Sequence, residues 1–336
     1  MPRQIYGIAL IGCGSMGAAH MNEIYCKDNV RIIAVCDTNA ERAQHFARRY
    51  GAQRIETDYA KIATDPSVDV VIIATYPGSH LQILSACLAN GKHVICEKPL
   101  ATTLADGEKM VRLIRENPQC KVLIGYILRH NKTFQRVAEM IHNDAIGHPI
   151  IMRMAQNHHT MDWPKYKSLI VNTSPIIDCG VHYYDVMRWF TGAEITNITG
   201  IGLKTEFDLP EGSYNYGLTT VKLSDGSIGY YEAGWSNTMA SSNIKEFIGP
   251  KGRISITYQM RRQNNQEEGD LIEYYRYPEG TYEIINSLCS RKPTGDQLEA
   301  LLAMIEGRAE ANPSIDDVWK SFSAAFAADG AIRTGL

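Results

Sequence analysis

The sequence predicts an α/β protein of two domains. A doubly wound parallel sheet is expected over residues 1–125, and a second α/β domain with a mostly antiparallel sheet over residues 126–336. Three observations carry this. Up to residue 126, short apolar runs alternate with amphipathic stretches, the pattern of parallel strands joined by right-handed helical crossovers. The first strand-to-helix junction, IGCGSMG at 11–17, has G-x-G-x-x-G spacing. Beyond 126 the residues alternate apolar and polar, with SDG and GPKG as turn signals, which suits antiparallel strands packed on one face. A length of 336 residues also suits two domains better than one.

The elements follow in order. YGIALIG at 6–12 reads as a strand, and SMGAAHMNEIYCK at 15–27 as the helix after it. VRIIAVCD at 30–37 is a second strand, followed by a helix over 39–51 that Gly51 closes. VDVVIIAT at 68–75 and HVICEK at 93–98 are strands, with helices after them at 80–91 and 103–117. KVLIGY at 121–126 ends the series. Ligands of such open sheets sit beyond the carboxyl ends of the strands. In the second domain, strands are expected within 150–159, 195–204, 215–235, 244–258 and 270–277, with helices near 131–143 and 180–191. A long helical stretch from TGDQLEALLAMIEG onward ends the chain and is a candidate to pack back on the first domain.

Composition narrows the function. A net charge of -3 with no basic stripe argues against a nucleic-acid partner. No run approaches the ~18 apolar residues of a membrane span. The N-terminus lacks the apolar core and cleavage site of a signal peptide. Eight cysteines include no Cys-x-x-Cys pair, and Cys13, Cys36 and Cys96 read as small buried hydrophobes. A reducing, cytoplasmic compartment is expected.

In the glycine motif, Gly12 permits a tight turn, Gly14 lets the backbone approach a pyrophosphate, and Gly17 lets helix and strand pack. Ser15 and Met16 open the helix, whose free N–H groups and dipole favour phosphate. Asp37 ends the second strand about 20 residues on, where a carboxylate accepts from a ribose 2′-hydroxyl and repels a 2′-phosphate. The expected cofactor is therefore NAD over NADP, with nearby Arg42 arguing the other way. The competing reading is a cluster of packing glycines, with Asp37 capping the next helix. Thr75 and Tyr76, in ATYPGSH after the third strand, are expected to meet the cofactor through their backbone. His80 either joins them or caps a helix.

CEKP at 96–99 ends the fourth strand on the same edge. Lys98, partly desolvated there, is a candidate to poise a substrate hydroxyl. Glu97 orients this region or binds cofactor. Pro99 limits the turn's freedom and is a candidate for a cis bond. The alternative is a solvated Glu–Lys pair of little energetic value. In IIDCGVHYYDVMRWF at 176–190, Asp178, His182 and Asp185 stand four and then three residues apart, which predicts one helix face. His182 suits a general base working near neutrality. Asp178 orients it or binds a substrate hydroxyl. A satisfied buried pair, or a metal, is the alternative. No metal is expected, since NHHTMD at 157–162 adds histidines without the specific spacing of a zinc site.

G-x-G-x-x-G at 12–17, Asp37, EKP at 97–99, GYILRH at 125–130 and D-x-x-x-H-x-x-D at 178–185, in that order, resemble the Gfo/Idh/MocA oxidoreductases. FIGPKGRISI at 247–256 and AADGAIRTG at 327–335 do too, so the resemblance spans nearly the whole chain. It implies a Rossmann domain followed by a domain with a large open sheet that packs on another subunit, hence a homodimer or homotetramer. It implies a catalytic Lys98, with Asp178 and His182 as substrate and proton-transfer residues. It also implies that Arg129 and Tyr126 contact cofactor or substrate. Asn157, His158, His159 and Trp163, on the sheet's first strand and the loop after it, fall where the family sets specificity. His130 and Asn131 follow Arg129 where the family often has an aromatic residue. The NHH run also departs from the histidine-arginine-asparagine run of many myo-inositol dehydrogenases.

The activity these readings imply is NAD-dependent oxidation of a secondary hydroxyl on a cyclic polyol, sugar or glycoside. Lys98, Asn157, His159, Asp178 and His182 make a polar set, with Trp163 or Trp235 as a platform for a ring. No arginine cluster argues for a phosphorylated substrate. Two alternatives remain: a glycosidase or lyase that oxidises transiently and recycles NAD, and a non-catalytic regulator that senses dinucleotide or sugar.

Overall fold

The strands Tyr6–Ile11, Val70–Ile73 and Val122–Ile124 are buried along their whole length, and they assemble as their apolar composition requires. The structure, a computed structural model, describes residues 4–258, 269–290 and 292–335. The chain divides into two units, residues 1–130 with 292–319, and residues 131–291 with 320–336.

In the first unit β1 (Tyr6–Ile11), β2 (Val30–Cys36), β3 (Arg54–Glu56), β4 (Val70–Ile73), β5 (His93–Cys96) and β6 (Val122–Ile124) form one parallel sheet in the order β3-β2-β1-β4-β5-β6. The order reverses between β1 and β4, the switch point at which doubly wound sheets bind ligands. The helices are α1 (Ser15–Ile24), α2 (Ala40–Tyr50), α3 (Tyr59–Ala63), α4 (His80–Ala89) and α5 (Leu104–Glu116). β3 and α3 escaped the sequence reading because each is too short to show a period.

The second unit holds α6 (Lys132–His142), β7 (Ile151–His159), α7 (Trp163–Asn172), α8 (Pro175–Asp178) and α9 (Gly180–Thr191). Its remaining strands are β8 (Ile195–Leu203), β9 (Tyr216–Leu223), β10 (Ile228–Ser236), β11 (Ser242–Gly249), β12 (Gly252–Thr257), β13 (Asp270–Arg276) and β14 (Thr281–Ser287). Among the described residues these form one sheet in the order β14-β13-β12-β11-β7-β10-β9-β8, antiparallel except where β7 meets β10.

Register sorts this sheet's side chains. Tyr231 of β10 lies opposite Met154 of β7, which lies opposite Lys245 of β11. That row faces the helices: Tyr231 stacks on Tyr183 of α9 at 4.6 Å between ring centroids, and Phe247, two residues along β11, meets Phe190 of α9 at 4.9 Å. The rows between them, with Arg153, Asn157, Glu232 and Ile244, face the other way. On that second face Ile151, Ile201, Leu203, Ile228, Ile244, Tyr282 and Ile284 are exposed.

The chain ends in α10 (Thr294–Ile305) and α11 (Ile315–Arg333). Leu298, Leu301 and Leu302 of α10 join Ile8, Leu10, Met21, Ile95 and Leu123 in the first unit's core. The Thr294 hydroxyl donates to the Ala19 carbonyl at 3.0 Å. All eight cysteines are free. No helix among the described residues is long and apolar enough to cross a membrane.

Candidate active site

The glycine loop is built by close backbone approach. Gly12 has φ +102°, and a Cβ there would lie 2.4 Å from the Ala74 carbonyl oxygen. A Cβ on Gly17 would lie 2.2 Å from the Gly12 oxygen. At Gly14 a Cβ would meet nothing within 4 Å, so open space lies in front of the loop. Gly14 is also the N-cap of α1, where no side chain caps the helix. Its first N–H groups and dipole therefore remain to favour an anion. Ser15 is exposed, and Met16 is half-buried, with Lys292 Nζ 3.4 Å from its Sδ.

Asp37 closes the loop from the end of β2. Its Oδ2 accepts from the Cys13 N–H at 2.9 Å, and its Oδ1 accepts from the Asn39 N–H at 2.8 Å. Arg42 Nη2 sits 3.1 Å from Oδ1. Asn39 caps α2, taking the Arg42 N–H at 3.0 Å, so the capping role proposed for Asp37 belongs to Asn39. Burial, then the Asp37 charge, pushes the thiols of Cys13 and Cys36 up to about 12, so both stay protonated. An uncapped helix start, open backbone and a carboxylate on the same edge fit a dinucleotide.

The EKP turn is tied down from two sides. Glu97 is 5 % exposed and its Oε1 meets His20 Nε2 at 2.7 Å, so it is no solvated surface pair. Burial would raise this carboxyl's pKa. The His20 hydrogen bond and charge, aided by Lys98, outweigh burial and hold it below the usual value. The Lys98 N–H lies 3.4 Å from Glu97 Oε2, and Lys98 itself is half-buried. The Lys98–Pro99 bond is cis.

His80 is fully buried. Its Nδ1 lies 3.1 Å from the Pro99 carbonyl and 3.2 Å from that of Leu100, and its Nε2 lies 3.2 Å from the Thr75 carbonyl. Burial lowers its proton affinity. It neither caps α4 nor reaches the loop surface; it joins the loop after β4 to the loop after β5. Thr75 Oγ1 accepts from Ser79 at 2.8 Å, and Tyr76 is exposed. Arg129 is buried, with Nη1 3.4 Å from Asn312 Oδ1. Tyr126, expected at substrate, is instead wholly buried and donates to the Val318 carbonyl at 3.3 Å. Its apolar ring belongs to the first unit's interior.

In the second unit Asp178 ends α8 and His182 lies in α9, both half-buried, with Cys179 at the joint between the two helices. One continuous helix was expected. Asp185 leaves the group: it is 1 % exposed and accepts from the Ser321 hydroxyl at 3.2 Å. Around Asp178 the structure gathers Tyr166, whose hydroxyl burial raises in pKa, with Cys179 and Asp178 adding to the effect. The Tyr166 ring meets His158 at 6.2 Å and Trp235 at 5.3 Å.

Asn157 and His159 do not join them. Strand alternation turns both to the other face of the sheet. There Asn157 Nδ2 donates to Glu232 Oε1 at 2.5 Å and to the Ser242 hydroxyl at 3.1 Å, while His159 is exposed. Trp163, expected in a loop, starts α7 and donates to Asp208 at 3.1 Å. The sequence reading missed Tyr166, Tyr231 and Lys245. For Tyr231 and Lys245, parity along β10 and β11 was the available signal; Tyr166 lies in α7, a helix the sequence reading did not expect. Among the described residues no group of three or more His, Cys, Asp or Glu is placed to hold a metal.

Comparison with known proteins agrees with this architecture. Residues 6–126 match the family described as an oxidoreductase family with an NAD-binding Rossmann fold, and residues 134–255 match the GFO/IDH/MocA C-terminal domain. The chain is 26 % identical over 251 residues to myo-inositol 2-dehydrogenase of Thermotoga maritima, spanning 74 % of each chain. It is 28 % identical over 255 residues to scyllo-inositol 2-dehydrogenase (NAD(+)) of Bacillus subtilis, spanning 74 % of this chain and 72 % of that one. The apo scyllo-inositol dehydrogenase structure from Lactobacillus casei shares the fold at TM-score 0.82 and 22 % identity, over 100 % of this chain and 98 % of that one. With both of the family's domains matched in sequence, and its Rossmann half followed by an eight-stranded sheet, the chain belongs to the Gfo/Idh/MocA oxidoreductases.

Proposed function

We propose that the protein oxidises a secondary hydroxyl of a cyclic polyol, sugar or glycoside, with NAD as cofactor. The observation that carries this is the open, uncapped start of α1 with the Asp37 carboxylate beside it. Bound NAD supplies the hydride acceptor. Asp37 accepts from ribose hydroxyls and disfavours a 2′-phosphate. Arg42 already faces Asp37 at 3.1 Å, which supports NAD over NADP. The dinucleotide's other contacts are proposed at Ser15, Met16, Thr75, Tyr76 and Lys98.

Lys98 donates to the substrate oxygen and stabilises charge on it as the proton leaves. His182 takes that proton, and Asp178 orients the imidazole and accepts from a neighbouring hydroxyl. The inositol dehydrogenases among the relatives support a polyhydroxylated ring as substrate. The exposed apolar side chains on the second unit's sheet support a homodimer or homotetramer. Eight free thiols suit a reducing compartment such as the cytoplasm.

The test is NADH absorbance with NAD and a panel of inositols, hexoses, pentoses and glucosides. NADH should form with at least one of them, and Lys98→Ala should cut turnover by about 100-fold or more. Wild-type turnover in that variant would remove Lys98 from the mechanism. Aglycone release without NADH would replace the dehydrogenase with an enzyme that recycles its cofactor.

A further inference from the structure

The helix-facing side of the second unit's sheet carries a cation that the reading above does not use. Lys245 of β11 is 2 % exposed, and its Nζ has no hydrogen-bond partner among the described residues. Two rings flank it, Tyr258 at 4.5 Å and Tyr183 at 5.2 Å. Tyr183 follows His182 in α9 and stacks on Tyr231 at 4.6 Å. The Tyr231 hydroxyl is buried and likewise has no hydrogen-bond partner. Burial raises its pKa, and Cys179 and Asp178 are among the neighbours that add to this, which puts the cluster near Asp178.

Desolvation disfavours the Lys245 ammonium strongly, and Asp270 offsets only part of it. Oδ2 of Asp270 is engaged by Thr133 Oγ1 at 3.2 Å and Cys289 Sγ at 3.4 Å. A methionine would fill the slot without that penalty. What lysine adds is charge and three N–H donors. The tyrosine faces attract the cation but leave its donors unused. Tyr231, whose hydroxyl is also unpartnered among the described residues, stacks on the same Tyr183 ring that flanks Lys245, so both donors border one aromatic cluster. A single ammonium, with no arginine fork beside it among the described residues, suits a singly charged carboxylate better than a phosphate dianion.

We propose that Lys245 and Tyr231 recognise a carboxylate on the substrate, so that the preferred polyol is a sugar acid rather than a neutral inositol. The proposal rests on the dehydrogenase reading and names its substrate class. Matched pairs test it: glucose against glucuronate, and galactose against galacturonate, each assayed for NADH. In the wild type the acid should exceed the hexose in kcat/KM by at least about 30-fold, and Lys245→Met should bring that ratio close to one. Equal ratios in the wild type, or a ratio that the substitution leaves unchanged, would overturn the proposal. If Lys245→Met does not fold, judged by its Tm, the wild-type ratio alone decides. If no member of either pair yields NADH, calorimetric titration of the NAD-loaded protein with glucuronate and glucose decides. Glucuronate binding that disappears in Lys245→Met sustains the anion site even if the dehydrogenase reading fails. No glucuronate binding, or binding indifferent to Lys245, rejects it.

Discussion

Asp37 holds two backbone N–H groups, one from the β1–α1 loop and one from the N-cap of α2, and faces the Arg42 guanidinium of α2. Its removal has two separable effects. Asp37→Ala should raise the ratio of kcat/KM with NADP to that with NAD by about tenfold or more, because the carboxylate that opposes a 2′-phosphate is gone and Arg42 is released. The NAD KM should also rise, since the Cys13 and Asn39 N–H groups lose their acceptor. Steady-state kinetics with both cofactors checks this, and an unchanged preference would show that Asp37 does not read the ribose. Asp37 was visible in the sequence because its role depends on a short, fixed distance from the glycines. Glu97 was visible as a charge at a strand end, but its partner was not. His20 lies 77 residues away in sequence and reaches it only once α1 packs on the sheet whose strand β5 leads into Glu97.

At the scale of the element, the three glycines of the β1–α1 junction do different work, and their substitutions should separate. Gly17→Ala pushes a Cβ to 2.2 Å from the Gly12 oxygen, so the backbone must shift. Overpacking of this kind costs about 1–3 kcal/mol, and Tm should fall measurably. Gly14→Ala meets no protein atom, so Tm should hold while NAD binding weakens by about tenfold or more. Differential scanning calorimetry with NAD titration reads both. A fall in Tm at Gly14 with unaltered NAD affinity would make it a packing glycine after all. Elements with a clear period or a motif were legible: the buried strands of the first unit, α2 with its terminal Gly51, and β7. Short or polar elements were not. β3 has three residues and α8 has four, and β14 carries no strong alternation of burial.

For the whole molecule, the exposed face of the second unit's sheet decides whether the protein works alone. Ile151, Ile201, Ile228, Ile244 and Ile284 on that face are each at least 40 % exposed. Light scattering after size exclusion should give a dimer or tetramer. Ile244→Glu combined with Ile284→Glu should shift it to monomer, because two buried, unpaired carboxylates are costly at an apolar interface. A wild-type monomer would leave this face without a partner of its own kind.

The sequence by itself determined the two-domain α/β plan, the phosphate-favouring glycine loop, Asp37, and the Lys98, Asp178 and His182 candidates. Those features depend on spacings of a few residues, where backbone geometry leaves little choice. Tertiary structure decided the rest. It placed His20 on Glu97, used His80 to join two loops, sank Tyr126 into the core, and put Lys245 between tyrosine rings. It also turned Asn157 and His159 away from the face that carries His158 and Trp235. A strand's side chains alternate with a period of two, so one residue of register exchanges the faces. Only the pairing of β7 with β10 and β11 establishes which parity is which.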